Sequence, residues 1–124
     1  MFSNLPSYKF GDTDEMADEL SRLVAEGTKT ATSCIYKSDD IISVVGEKNI
    51  ILDSKNNPVC VVETTEVKVV PFNQVDASFA YDEGEGSRTL EEWQKSHEEF
   101  FSRNGGFSPD MLLVCERFSL VNLL

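Results

Sequence analysis

Residues 27–33 read Gly-Thr-Lys-Thr-Ala-Thr-Ser, and they separate a charged amphipathic run from the apolar residues 34–36. A helix that ends at a glycine can reverse the chain through a left-handed residue, which frees the next backbone groups to face a ligand. Lys29 and several hydroxyl groups would then lie at this corner. The alternative is an ordinary helix-to-strand turn, in which Thr30 and Thr32 are β-branched strand residues and Lys29 is solvated.

The run before this corner predicts an amphipathic helix from Asp12 to Glu26. Its apolar residues recur at helical spacing and share one face: Met16, Leu20, Leu23 and Val24. Asp12 with Glu15 forms an acidic variant of the capping box, and Gly27 supplies the stop.

Most of the remaining chain reads as β-structure. The predicted strands are Tyr8–Phe10, Thr30–Tyr36, Ile50–Leu52, Val59–Val70 and Met111–Phe118, the last continuing to Val121. The turn at residues 53–58 is rich in Asp, Asn and Pro, and it predicts a hairpin between the third and fourth strands. Glu63 interrupts the more apolar face of the second hairpin arm. A carboxylate there belongs either to the rim or to a site, because burying it unpaired is costly.

A connecting segment at residues 71–78 and a flexible acidic loop at residues 79–88 are predicted before a second helix. That helix begins at Thr89, which forms a capping box with Glu92, and it ends at Gly105. Its apolar face should pack onto the sheet: Leu90, Trp93, His97, Phe100 and Phe101. His97 is the single histidine, and its place on this stripe favours a hydrogen-bonded core or rim residue over a catalytic base.

Composition narrows the class of protein. The 124 residues fit one domain, with 40% hydrophobic and 27% charged residues. A formal charge of −11 opposes extended, non-specific binding of nucleic acid. No apolar run is long enough to span a membrane, and the N-terminus lacks the features of a signal peptide, so we expect a cytoplasmic protein. Three separated cysteines favour neither a disulfide framework nor a zinc site.

Several motifs, in order along residues 8–121, closely resemble the small bacterial ASCH-domain proteins. They are Gly27-x-Lys29-x-x-Thr32, Leu52-Asp53, Pro58-Val59-Cys60, residues 63–67, Phe79-Ala80, residues 83–86, Trp93, Phe100-Phe101 and residues 114–118. The resemblance implies an α+β fold, a PUA-like and mostly antiparallel β-barrel with flanking helices. It also implies a link to RNA or to modified nucleosides, so the expected partner is a modified nucleoside or a short RNA.

The resemblance also implies candidate catalytic residues. A distant branch of the superfamily hydrolyses the acetyl amide of N4-acetylcytidine with a Lys, a Thr three residues later and a Glu before the second helix. Those positions look like Lys29, Thr32 and Glu85, with Glu83 as the alternative carboxylate. Thr30, Ser33, Glu63 and Arg88 are the candidate substrate-binding residues.

Three functions remain open on the sequence alone. The first is an amidohydrolase acting on an acylated nucleoside without a cofactor or metal. The second is a ribonuclease, the activity of another relative, with a divalent ion held by Asp82, Glu83 and Glu85. The third is a non-catalytic module that binds RNA or a nucleotide.

The chemistry constrains the role of Lys29. A lysine serves as a base only if its pKa is lowered, whereas an ion pair with Glu85 would raise it. Lys29 would then stabilise an oxyanion, and the carboxylate would activate Thr32 or water. Lys29 and Thr32 converge only if the lysine lies in the turn before the strand. We expect this corner and residues 82–88 to line one cleft. A turn lysine and a strand-edge threonine should contribute little to stability, within about 0.5 kcal/mol on replacement by Ala.

Overall fold

The computed structural model describes residues 4–38 and 43–124. Its five strands are β1 (Ser7–Tyr8), β2 (Ala31–Ile35), β3 (Lys48–Leu52), β4 (Pro58–Pro71) and β5 (Leu112–Leu123). Its three α-helices are α1 (Asp14–Ala25), α2 (Ala77–Glu83) and α3 (Leu90–Arg103), and a 3-10 turn spans Phe72–Gln74.

The strands form one sheet in the order β1-β3-β4-β5-β2. Neighbouring strands run antiparallel except for β1 and β3, which are parallel. The α+β class is therefore confirmed, whereas the closed barrel is not. Within the described residues the sheet is open, because its edges are the two-residue β1 and the five-residue β2, which pair with β3 and β5 and not with each other.

Two apolar clusters hold the helices against the sheet. One lies beneath α1 and includes Phe10, Leu20 and Phe118. The other packs α2 and α3 on the sheet and includes Trp93 and Phe101, with Phe100 partly buried at its edge. The predicted packing of the second amphipathic helix is thus confirmed, and the edge strand β2 contacts α2.

The ends of α1 differ in part from the prediction. Thr13, not Asp12, caps the helix, because its hydroxyl accepts the N–H of Met16 at 3.1 Å. Asp12 instead forms a 2.7 Å ion pair with Arg103. Gly27 ends the helix as predicted, with φ of 82°. The N–H groups of Gly27 and Thr28 return to the carbonyls of Val24 and Leu23, as in a Schellman motif.

The predicted flexible loop at residues 79–88 is wrong in its first half, which belongs to α2. Asp76 starts this helix by accepting the N–H of Phe79 at 2.9 Å, and Gly84 ends it with φ of 75°. Seven residues are too few to show a helical period in the sequence. The predicted helix from Thr89 is confirmed, although Glu92 accepts the N–H of Ser87 and not that of its own cap.

None of the helices in the described part of the chain is both long and apolar enough to cross a membrane.

Candidate active site

Lys29 lies in the turn before β2, and its side chain is 1% exposed. Four oxygens surround its ammonium group: Ala31 O at 2.8 Å, Glu83 O at 3.3 Å, Glu83 Oε1 at 3.2 Å and Glu85 Oε2 at 2.8 Å. The ring of Phe10 lies beneath it, 5.2 Å from its centroid. The alternative of a solvated turn lysine is therefore wrong, and so is the premise that Lys29 lies away from the core.

The close approach of two chain segments creates this environment. A Cβ on Gly84 would lie 2.6 Å from the carbonyl oxygen of Thr28, so only glycine lets the end of α2 meet the corner. The N–H of Thr30 donates to Asp82 O at 2.8 Å. Arg88 donates to Thr28 O at 3.3 Å and to Tyr81 O at 2.9 Å. These contacts bring residues 27–33 against residues 82–88, although the contacting residues are 52 to 60 positions apart in the sequence.

Glu83 is buried and accepts bonds at both carboxylate oxygens. Lys29 approaches Oε1, while Ser33 Oγ at 2.7 Å, Trp93 Nε1 at 2.9 Å and His97 Nε2 at 3.4 Å approach Oε2. Burial alone would raise the pKa of this carboxyl, but Lys29, His97 and Ser33 outweigh burial and hold it below its usual range. Glu83 is therefore an ionised anchor for its neighbours.

The pKa values of Lys29 and His97 are raised, whereas that of Glu83 is lowered. Burial lowers the pKa of Lys29, but the charges of Glu83 and Glu85 more than offset it, so the net pKa is raised. The same balance holds at His97, where burial is outweighed mainly by Glu83 and the pKa is again raised. Lys29 is thus a permanent cation at neutral pH, which excludes it as a general base.

A cavity of about 180 Å³ opens onto this cluster. Its polar end is formed by Lys29, Thr32, Ser33, Glu83, Glu85 and His97. Its apolar side is formed by Phe10, Met16, Leu20 and Phe100. Glu85 is the more accessible carboxylate of the two, with a side chain 26% exposed against 2% for Glu83.

The other sequence-based candidates lie around the cavity or away from it. Thr30 and Arg88 tie the two segments together without lining the cavity. Glu63 lies in an exposed pair with Lys48, at 3.6 Å across β3 and β4, and not at this cavity. Asp82 pairs with Arg117 at 3.1 Å, so the three acids considered for Mg²⁺ do not converge.

One group of potential metal ligands does converge. Glu83, Glu85 and His97 each offer one potential ligand atom, and these three atoms lie within 4.8 Å of one another. The ammonium of Lys29 already contacts both carboxylates, and Ser33 and Trp93 donate to Glu83 as well. The charges of these two carboxylates are therefore partly neutralised by groups of the chain itself.

Sequence reasoning missed two partners of Glu83. The sequence places Trp93 on the packing face of α3 and predicts a hydrogen-bonded core or rim role for His97, but it links neither residue to Glu83. In the structure each directs a ring nitrogen toward this buried carboxylate. Their spacing of four places both rings on one helical face, and the rings stack at 4.2 Å between centroids. Both a tryptophan and a histidine carry ring N–H donors. Two such residues four positions apart on a buried helix face therefore indicate that a buried acceptor lies opposite them.

Fold and site together define a small α+β domain with an open sheet and a cavity lined by both polar and apolar residues. The chain belongs to the ASCH domain family, whose family model matches residues 6–122. ASCH domains are PUA-like domains associated with RNA. No curated protein matches the chain.

Solved structures agree with this assignment. An ASCH domain from Lactobacillus crispatus is 31% identical, with a TM-score of 0.90 over 95% of this chain and 80% of that one. A protein from Enterococcus faecalis is 37% identical, with a TM-score of 0.87 over 95% and 77% of the two chains. An ASCH protein from Zymomonas mobilis is 7% identical, with a TM-score of 0.60 over 96% and 71%, and it shares the fold alone.

Proposed function

We propose that this protein is a hydrolase that cleaves the amide of an acylated nucleoside of the N4-acetylcytidine type. The observation that carries the proposal is the buried Lys29–Glu83–Glu85 cluster at one end of a small cavity whose wall includes Thr32. A buried, preorganised cation can stabilise the oxyanion of amide hydrolysis, and an accessible carboxylate beside it can serve as the general base.

The size and charge of the cavity favour a small, uncharged substrate. A cavity needs a volume of about 10–15 Å³, counted as the space open to the centre of a water molecule, to hold one water. The same volume is about 180 Å³ in this cavity, which gives room for a small molecule and not for folded RNA. The cavity is also lined by Glu99 and by Arg103, which is paired with Asp12. This lining offers no excess of positive charge to a polyanion, and the formal charge of −11 opposes one, so a nucleoside is favoured over RNA.

Glu85 is assigned the role of general base and Glu83 that of anchor. Both oxygens of Glu83 already accept donors, whereas Glu85 contacts Lys29 through Oε2 and its side chain is partly exposed. In the proposed step, water attacks the acyl carbon and transfers its proton to Glu85, while the carbonyl electrons move onto oxygen. When the tetrahedral intermediate collapses, the C–N bond breaks and the amine departs with that proton. The products are a carboxylic acid and the free nucleoside.

Lys29 is assigned the stabilisation of the oxyanion. Its three N–H donors already serve four oxygens within 3.3 Å, so none is spare in the resting site. When Glu85 takes up a proton it becomes neutral and its hold on the ammonium weakens. A donor is thereby released as negative charge develops on the substrate oxygen. Thr32 supplies the hydroxyl that orients the attacking water or the amide.

The test is a comparison of acyl release from a panel of acylated cytidine, adenosine and guanosine, followed by chromatography with mass detection. We expect the native protein to deacylate at least one of them, and Thr32→Ala to lose about 100-fold or more in kcat/KM. Thr65→Ala is the matched control, since Thr65 is an exposed strand threonine in β4 away from the cavity. Absence of turnover across the panel, or equal turnover by both variants, would overturn the proposal. Labelled RNA in parallel reports cleavage or simple binding.

A further inference from the structure

The polar atom closest to each ring nitrogen of His97 is an oxygen that only accepts hydrogen bonds. Nδ1 faces the carbonyl oxygen of Trp93 at 2.9 Å. Nε2 faces Glu83 Oε2 at 3.4 Å. The hydroxyl of Ser96 lies farther from Nδ1, at 3.4 Å, and it also faces the carbonyl oxygen of Trp93 at 3.3 Å. A neutral imidazole carries one N–H and one bare nitrogen, so either tautomer would place a lone pair against an acceptor oxygen.

Glu83 does not relieve this conflict by becoming protonated. Lys29, Ser33 and Trp93 all donate to its carboxylate, which leaves no room for a proton of its own. Donation from the Ser96 hydroxyl to Nδ1 at 3.4 Å would still leave a lone pair facing the carbonyl oxygen of Trp93 at 2.9 Å. N–H groups at both nitrogens of His97 therefore fit the two closest oxygens best. Stacking of this ring on the indole of Trp93, at 4.2 Å and 20° between planes, also favours the cationic form.

We propose that His97 is a positioning residue that remains an imidazolium at neutral pH and holds Glu83, and through Glu83 Lys29, in the catalytic arrangement. With His97 charged, two cations balance the two carboxylates Glu83 and Glu85. Loss of its proton removes the second cation, places a lone pair against Glu83 Oε2 and leaves the cluster with a net negative charge. The part of this inference that concerns catalysis rests on the proposed hydrolase function, while the charge state of His97 does not.

Few other titratable groups face His97. Glu83 ends α2, Glu85 follows it and Lys29 precedes β2, while Glu99 and Arg103 of α3 line the same cavity. From β5, burial raises the pKa of the Cys115 thiol to about 12, so this thiol is neutral near pH 7. Since Lys29 and Arg103 also keep their charges there, His97 is the group whose titration changes the charge of the cluster as pH rises above 6.5.

The charge state is tested by ¹⁵N NMR of the imidazole, which gives one unambiguous signal because the chain has a single histidine. We expect the doubly protonated pattern at pH 7 and a titration midpoint above 6.5, the ordinary value. The ammonium signal of Lys29 should shift with the same midpoint. Glu83→Gln should lower the midpoint, because it removes the main group that opposes the effect of burial, whereas Glu98→Gln, an exposed neighbour on α3, should leave it unchanged.

The role in positioning is tested by the pH profile of kcat/KM. Above the midpoint of His97, kcat/KM of the native protein should fall tenfold per pH unit. His97→Gln should abolish this alkaline limb of the profile, and it should lower kcat more than it changes KM. A neutral His97 at pH 7 would overturn the inference even if nucleosides are hydrolysed. A Lys29 signal that does not follow His97, or a limb that survives in His97→Gln, would overturn the positioning role. Absence of any turnover bears on the proposed function alone.

Discussion

Two lysine–glutamate pairs in this protein differ mainly in burial. Lys29 and Glu83 meet at 3.2 Å with side chains 1% and 2% exposed. Lys48 and Glu63 meet at 3.6 Å with side chains 42% and 39% exposed. Only the buried pair is completed by further donors and acceptors, because two ions removed from water must satisfy their remaining hydrogen-bonding capacity inside the protein. The same pairing of residues thus forms a preorganised centre in one place and a solvated surface contact in the other.

Removal of one partner should separate the two pairs most strongly. Lys29→Met keeps much of the side-chain volume but leaves Glu83 charged and buried, so we expect a loss of about 3–5 kcal/mol in the free energy of unfolding. Lys48→Met should cost about 0–1 kcal/mol, as exposed pairs do. Denaturant titration of both variants measures the difference. Equal and small losses would mean that the cluster is solvated in solution.

A smaller difference is expected for the serines that neighbour the two glutamates. Ser33 Oγ donates to the ionised Glu83 at 2.7 Å, so Ser33→Ala should cost about 1.5–3 kcal/mol. Ser119 lies opposite Glu63 in the strand register and is exposed, so Ser119→Ala should stay within about 0.5 kcal/mol. Denaturant midpoints at constant pH give both values. A loss of stability from Ser119→Ala as large as that from Ser33→Ala would contradict the difference expected between the buried pair and the exposed pair.

The pH dependence of stability should sharpen the comparison further. The pKa of Glu83 is lowered from 4.5, so its contribution is complete above pH 4.5 and is lost as pH falls through the folded value. The pKa of His97 is raised from 6.5, so its contribution is complete below pH 6.5 and is lost as pH rises through the folded value. The free energy of unfolding of the native protein should therefore exceed that of His97→Gln by an amount that declines above pH 6.5. A difference independent of pH would refute the raised pKa.

The sequence predicted much of the frame of the site but not its interior. Gly27 identified the end of α1, and the Lys29-x-x-Thr32 spacing located the corner, because both depend on local geometry. Local patterns gave no indication that Lys29 is buried, since that burial depends on Gly84 meeting the carbonyl of Thr28 from a distant segment. The short helix α2 also has no local pattern that predicts it. Its seven residues are positioned by Asp76 and by packing, and not by a visible period.

Glu63 shows the opposite failure of sequence reasoning. Its interruption of an apolar strand face predicted either a rim residue or a site residue, and the structure places it in an exposed pair at the rim. The strand pattern alone does not distinguish the two, because the strand periodicity gives the face on which a side chain lies but not the depth to which that face is covered.

The central claim is that the corner at Lys29 and the carboxylate of Glu85 act as one catalytic unit. The most direct test measures kcat/KM for deacylation by Thr32→Ala, Glu85→Gln and the double variant, with Thr65→Ala and Glu63→Gln as controls. We predict that each single substitution removes most activity, that the double variant costs little more, and that both controls match the native protein. Losses that simply multiply, or activity retained by Glu85→Gln, would contradict a single unit centred on this cluster.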